Sequence, residues 1–343
     1  MNRPAILVAS FVAALIALVT LSPKNTPTNV PPEQFVSPIH YEETIAPQPI
    51  QISNKSPGYL PYSGIITQLK KWNKEAPAIT EFGTYGESSQ GVPLTWLRVG
   101  EGNKKVLITA AIHGNEPLST STVMAFIGNL LDGYGKNDEI TNLIDNREIY
   151  FIPVVCPDSY PKSRYVDGTD PNRNFLAKNP VTPIKCLKDF FLEKKFNAAM
   201  SCHTWGRVFL TPYGEKYDIP PNQQDYQRII GEMCEMTKKQ PVSFTEAEAG
   251  VIYRTTTSPF SHKFDPVNIA NHYKTIRTCE MYSQPFSGGE CDWFYKHGAF
   301  TIVMEMGLHQ RIPSIKDTTT EFDMTWNAFL HFLKEAPLVE IKQ

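Results

Sequence analysis

At 343 residues, with a formal net charge of −2 and 41% hydrophobic residues, the chain can bury a full core, in one large domain or two small ones. This composition excludes wholesale disorder, and the near-neutral balance gives no bulk electrostatic reason to expect a nucleic-acid partner. No long run of like charge occurs.

Pro4 to Ser22 contains no charged residue and follows Arg3 and the α-amino group. The stretch is just long enough to span a bilayer, and it also suits a long signal peptide that is positive at its start. No convincing small-x-small cleavage site precedes Lys24 and there is no lipobox cysteine, so an uncleaved membrane anchor is favoured over a cleaved signal. Either reading places the rest of the chain outside the cytoplasm, at a cell surface, in a periplasm or secreted. Residues 23–57 carry Pro23, Pro27, Pro31, Pro32, Pro38, Pro47, Pro49 and Pro57 with few periodic apolar residues, as expected of an extended tether. The folded domain is expected over 58–343, and no internal repeat is found.

Ile65 to Trp72 has a helical pattern. Thr80 to Val99 holds two strand-like runs around the turn Tyr85 to Gly91. Val106 to Ile112 is continuously apolar and rich in β-branched residues, a strand buried on both faces. It stops at His113-Gly-Asn-Glu116, and Pro117 suits the first turn of a helix over Leu118 to Leu131. A second strand is expected over Glu148 to Val155, then a helix over Ile184 to Phe196 and a short strand, Ala198 to Cys202, that ends in His203. Phe300 to Met304 is apolar and ends in Glu305. Glu321 to Lys334 closes the domain as an amphipathic helix with Phe322, Trp326, Phe329, Leu330 and Leu333 on one side. Strands alternating with helices indicate an α/β fold: a single domain with a mixed, largely parallel central sheet flanked by helices on both faces.

Three buried strands thus deliver polar residues at their ends, where open α/β sheets build their sites. His113, Glu116 and His203 form a two-His, one-Glu set able to hold one Zn2+ per chain with a fourth position open. Glu305, between Met304 and Met306, is a carboxylate in an apolar setting, which is costly without a partner or a task. A general base is the task that the neighbouring metal set suggests. The six cysteines, Cys156, Cys186, Cys202, Cys234, Cys279 and Cys291, are an even number, which suits an oxidising compartment. They form no Cys-x-x-Cys pair.

Together these motifs resemble the zinc metallocarboxypeptidases of the carboxypeptidase A/B type, over most of Gly58 to Glu335. Gly86-Glu-Ser-Ser-Gln-Gly-Val-Pro-Leu94 is similar to the family's Gly-x-Ser-x-x-Gly-Arg-Pro-Leu turn, with Val92 in place of Arg. His113-Gly-Asn-Glu116 matches the first zinc motif. Pro157-Asp158 is similar to Asn-Pro-Asp-Gly, with Cys156 and Ser159 as departures. Gly168-Thr-Asp-Pro-Asn-Arg-Asn174 matches the Gly-x-Asp-x-Asn-Arg-Asn block. Ser201-Cys-His-Thr-Trp205 with Leu210-Thr-Pro-Tyr-Gly214 resembles the second zinc motif and its sequel. Gly288-Gly-Glu-Cys-Asp-Trp293 resembles the Gly-Gly-Ser-x-Asp-Trp block that precedes the catalytic glutamate.

The resemblance implies roles. His113, Glu116 and His203 would bind zinc, and Glu305 would take a proton from the attacking water and pass it to the leaving amine. Arg164 would stabilise the oxyanion. Arg173, with Asn172, would grip the terminal carboxylate of a peptide substrate, a contact that suits a planar guanidinium. The family's lid tyrosine position falls on Gln284, and Tyr282 is the nearest tyrosine. A two-residue insertion or loss of the tyrosine would each explain this. The specificity position falls on Cys291, which does not predict a basic terminal residue unless Glu290 turns inward instead. The implied activity is removal of C-terminal residues from peptides, with cell-wall peptide stems among the candidate substrates. Two other readings stand beside it. One is a zinc amidohydrolase of the succinylglutamate desuccinylase and aspartoacylase type, which shares the His-Gly-Asn-Glu motif and whose Arg-Tyr-x-x-Asp-x-Asn-Arg block is similar to Arg164-Tyr-Val-Asp167 leading to Asn172-Arg173. The other is a non-catalytic relative that binds peptide tails.

Overall fold

The computed structural model describes residues 47–237, 274–277 and 285–341. The apolar stretch 4–22, most of the Pro-rich segment, Cys279, Tyr282 and Gln284 lie outside them.

The described elements, in chain order, are helix α1 (Tyr62–Glu75), strands β1 (Thr80–Glu87), β2 (Pro93–Val99) and β3 (Lys104–Ala110), helices α2 (Pro117–Gly133) and α3 (Asp138–Asn146), strand β4 (Arg147–Ile152) and helix α4 (Thr182–Lys194). Strands β5 (Ala198–Thr204) and β6 (Val208–Thr211), helix α5 (Gln223–Met236), strand β7 (Lys274–Arg277), helix α6 (Glu290–Lys296), strand β8 (Phe300–Met306) and helix α7 (Ile315–Glu335) follow. The strands form one eight-stranded sheet in the order β1-β2-β4-β3-β5-β8-β6-β7. Its centre is parallel, through β4-β3, β3-β5 and β5-β8. Antiparallel pairs join β1 to β2, β2 to β4 and β6 to β8.

The central strands alternate between two cores. Val106, Ile108 and Ala110 of β3 and Ile149 and Phe151 of β4 pack with residues of α1, α2, α3, α5 and α7. Leu107, Tyr150 and Ile152 face the other side, where α4 and Trp293 and Phe294 of α6 cover the sheet. Burial on both faces explains why these strands read as unbroken apolar runs. Ala111 then takes a left-handed φ of 46°, which ends β3 and turns the chain out of the sheet toward His113.

Helix ends are capped by local chemistry. Pro117 opens α2, and the Asn137 side chain accepts from Ile140 N–H at the start of α3. Ser314 and Asp317 form a reciprocal capping box on α7, so this helix begins six residues before the apolar pattern that announces it. At its other end the Arg147 guanidinium donates to the carbonyls of Leu333 and Lys334, both at 2.8 Å. Those carbonyls have no intrahelical partner, so the contact ties β4 to the last turn of α7. The buried Arg207 donates to buried Glu321 at 3.0 and 3.2 Å, joining the β5–β6 turn to α7.

Residues 47–57, assigned by composition to the tether, lie against this body. Ile50 and Ile52 pack on the core, and Ser53 bonds to Glu75 through its N–H and hydroxyl at 3.1 and 2.7 Å. These contacts are long-range and leave no periodicity in the segment. Cys156, Cys186 and Cys202 are free thiols, so the even cysteine count does not correspond to a full set of disulfides. Among the described residues, no helix is long and apolar enough to cross a membrane.

Candidate active site

The carboxyl ends of β3, β5 and β8 lie side by side because the three strands are adjacent and parallel. His113 and Glu116 follow β3, His203 lies near the end of β5, and Glu305 of β8 is the register partner of His203. The loop from His113 to Glu116 fits because position 114 is glycine. A Cβ there would lie 2.4 Å from the Ser159 carbonyl carbon. The loop then closes with Glu116 N–H donating to the His113 carbonyl at 3.2 Å.

Glu116 is the hub. Its Oε1 lies 3.0 Å from His113 Nδ1 and its Oε2 lies 2.9 Å from His203 Nδ1. Thr204 N–H and Gln310 Nε2 also donate to the carboxylate, both at 3.1 Å. Each histidine has a second carboxylate on its far nitrogen. His113 Nε2 is 3.0 Å from Asp170 Oδ1, and His203 Nε2 is 2.6 Å from Glu290 Oε1. All three central residues are buried, and one ligand atom from each lies within 4.8 Å of the others. Two imidazoles and one carboxylate are donors that zinc takes, and three protein ligands are the usual number where a fourth position is left open. The set therefore could hold a zinc ion.

Electrostatics follow from the geometry. Burial alone would lower both histidines, but the carboxylates flanking each ring outweigh it, raising His113 and holding His203 well above the ordinary imidazole value. Burial would raise Glu116, and the two imidazoles overcome it to hold the carboxyl well below the usual range. A cation entering the site would compete with protons for these imidazoles. Glu305 goes the other way. Burial pushes it up to about 7, with Glu116 adding repulsion and His203, His113 and Arg164 opposing. A carboxyl tuned toward neutral pH is what general base catalysis favours.

Glu305 opens onto a small, partly open pocket shared with Asn172, Leu210, Phe286, Cys291 and Val303. Cys291 lines the pocket, while the Glu290 side chain turns to His203. The other acid on the pocket wall, Asp292, accepts from the N–H groups of Gly214 and Glu215 at 2.8 to 3.0 Å, and burial raises its pKa. Arg173 stacks on Phe286, its guanidinium carbon 3.5 Å from the ring centroid, and donates to the Asn172 carbonyl at 2.7 Å. Gly288 makes this packing feasible. Its φ is +78°, and a Cβ there would lie 2.4 Å from the Arg173 carbonyl oxygen. Arg164 donates through Nε and Nη2 to Asp170 Oδ2 at 3.0 and 2.8 Å, so the acid that braces His113 also braces Arg164. Tyr282 lies outside the described residues.

Three contributors carry no role in the sequence reading: Asp170, Gln310 and the Glu290 carboxylate as a histidine partner. Asp170 stands inside the Gly-x-Asp-x-Asn-Arg-Asn motif, the one signal that could have found it. Gln310 carries no local signal, since its partner Glu116 is 194 residues away.

The model of the zinc carboxypeptidase family, peptidase M14, matches residues 65–328. The chain belongs to the zinc carboxypeptidase family. Among curated relatives it is 33% identical over 140 residues to a zinc carboxypeptidase of Saccharothrix mutabilis subsp. capreolus, covering 34% of this chain and 32% of the relative. It is 25% identical over 250 residues to mast cell carboxypeptidase A of Mus musculus, covering 60% of each. The chain thus spans 32% and 60% of the length of these two relatives. A crystal structure of thrombin activatable fibrinolysis inhibitor superposes with a TM-score of 0.68 at 19% identity, covering 83% of this chain and 76% of that one. At that identity the likeness establishes the fold. The mixed sheet flanked by helices is the family's α/β architecture, and a His-Glu-His group that could hold a metal ion is in keeping with a zinc family. The amidohydrolase alternative gives way to this match.

Proposed function

We propose that the protein is an active zinc metallocarboxypeptidase that removes C-terminal residues from peptides. The observation that carries this reading is the register pairing of His203 with Glu305, which sets the buried Glu305 carboxyl beside the His113-Glu116-His203 group and at the wall of a pocket.

Zinc held by His113, Glu116 and His203 would supply Lewis acidity, polarising the scissile carbonyl and making the attacking water more acidic. Glu305 takes the proton from that water and returns it to the leaving amine. Arg164, steadied by Asp170, is the oxyanion donor. Arg173 and Asn172 receive the free terminal carboxylate at the pocket rim. The terminal side chain enters among Leu210, Cys291 and Val303. Because Glu290 points away and Asp292 is engaged by backbone N–H groups, a neutral apolar side chain suits the pocket better than a lysine or arginine.

The location proposed is extracytoplasmic, held at the membrane by the uncharged stretch 4–22. A reporter fused after Pro57 that is active only in the cytoplasm would refute it. The enzymatic reading is tested by incubating zinc-loaded protein with a mixed peptide library, protein tails and cell-wall fragments, followed by mass spectrometry. The expected products are peptides shortened by one C-terminal residue, with loss of activity on chelation. Tight binding of peptide tails without any product would favour the non-catalytic relative.

A further inference from the structure

Glu290 is the first residue of α6, in the motif position where the resembling family carries serine. Its side chain is fully buried at 0% exposure. Its N–H is taken by Asn172 Oδ1 at 2.8 Å, which fixes the backbone against the Asn-Arg turn. Its Oε1 lies 2.6 Å from His203 Nε2, and its Oε2 has no hydrogen-bond partner. A buried carboxylate with one bare oxygen is expensive to keep, and its one described cationic contact is His203.

The His203 ring is therefore held between two carboxylates, Glu116 on Nδ1 and Glu290 on Nε2. His113 is held in the same way, between Glu116 and Asp170. The two outer acids differ in charge environment. Asp170 also accepts from Arg164 and from Asn172 N–H, so its negative charge is shared. Glu290 has no arginine or lysine among its described ion pairs.

We propose that Glu290 is a positioning residue for the zinc site: it keeps His203 protonated at Nε2 with Nδ1 aimed at the metal, and its unshared charge tightens the hold on a divalent cation. This rests on the reading that His113, Glu116 and His203 take zinc. A carboxylate behind a ligating imidazole fixes tautomer and ring orientation and makes the ring a stronger donor. With Glu290, both zinc histidines are backed by carboxylates, and the less neutralised of the two stands behind His203.

The test uses the full-length protein. Zinc affinity is measured by competition with a chromophoric chelator for wild type, Glu290→Gln and Glu290→Leu, together with melting of each chelated protein. The Gln variant keeps an acceptor for Nε2 but lacks the charge, whereas the Leu variant lacks both. The expected result is a zinc Kd weakened by roughly 10- to 100-fold in Glu290→Leu and by less in Glu290→Gln, with chelated Glu290→Gln melting close to chelated wild type. Should the Leu variant fail to fold, the Gln variant alone carries the comparison. Zinc affinity within threefold of wild type in every folded variant overturns the proposal. So does a weakening matched by an equal loss of stability in the chelated protein, since that is a purely structural role. If wild type itself binds no zinc, the metal reading falls and the proposal with it, and that result is distinct from a wild type that binds alongside variants that bind equally well.

Discussion

His203 and Glu305 stand side by side as register partners on the adjacent parallel strands β5 and β8. Backbone hydrogen bonding, not side-chain chance, therefore sets a candidate metal-ligand histidine beside the acid proposed as its general base. The same ladder pairs Thr204 with Met306 and Cys202 with Met304, so the site is anchored in a sheet buried on both faces. A site built on strands holds its geometry more closely than one built on loops.

The metal set predicts its own dismantling. His203→Ala leaves two protein ligands and should lose most bound zinc, measured by metal analysis after dialysis. Full occupancy in that variant would place the ion elsewhere.

Substrate polarity is expected to reside in Arg173. A charge-assisted hydrogen bond contributes about 1.5–3 kcal/mol, so Arg173→Ala should lower kcat/KM for free-acid peptides roughly 10- to 100-fold. Amidated peptides should be much less affected. Equal losses on both would make Arg173 a structural partner of Phe286.

Glu305 also gives the metal-free protein a pH dependence. An unfolded glutamate titrates near 4.3, while the folded one titrates at about 7. Between these values the folded state holds the extra proton, so this group's contribution to stability falls as pH rises through that window and is fully lost above it. Chelated Glu305→Gln lacks the effect. It should melt above chelated wild type at pH 8, with the gap closing toward pH 4. The opposite order at pH 8 would mean that the carboxylate is stabilised in the fold.

The Arg207–Glu321 pair is buried at both ends, with side chains 2% and 1% exposed. Removing one partner leaves the other charged and buried, which costs about 3–5 kcal/mol. Glu321→Ala should lower the denaturation midpoint accordingly, and Glu321→Leu should not rescue it while Arg207 remains.

Much of the site is legible in the sequence because β3, β5 and β8 are buried on both faces. Their apolar runs stop abruptly at His113, His203 and Glu305, and strand ends in such sheets converge. Elements without that contrast escape notice. β6 is only four residues long, α6 is buried along most of its seven residues and so lacks an amphipathic stripe, and α7 starts on a polar turn announced only by its capping box. The outer partners of the histidines are harder still. Asp170 and Glu290 meet their rings across 57 and 87 residues of chain, so the fold creates both pairings, and only Asp170 stands at a matching motif position that could have pointed to it.

The most direct measurement is the turnover of Glu305→Gln on a free-acid peptide, taken with its zinc content and melting temperature. Gln preserves shape and most hydrogen bonding but cannot accept the proton. Positioned acid–base catalysis contributes on the order of 10²–10⁴-fold, so kcat should fall by at least that factor, while zinc stays bound and peptide affinity changes little. A folded, zinc-loaded Gln variant that turns over at the wild-type rate would contradict the account.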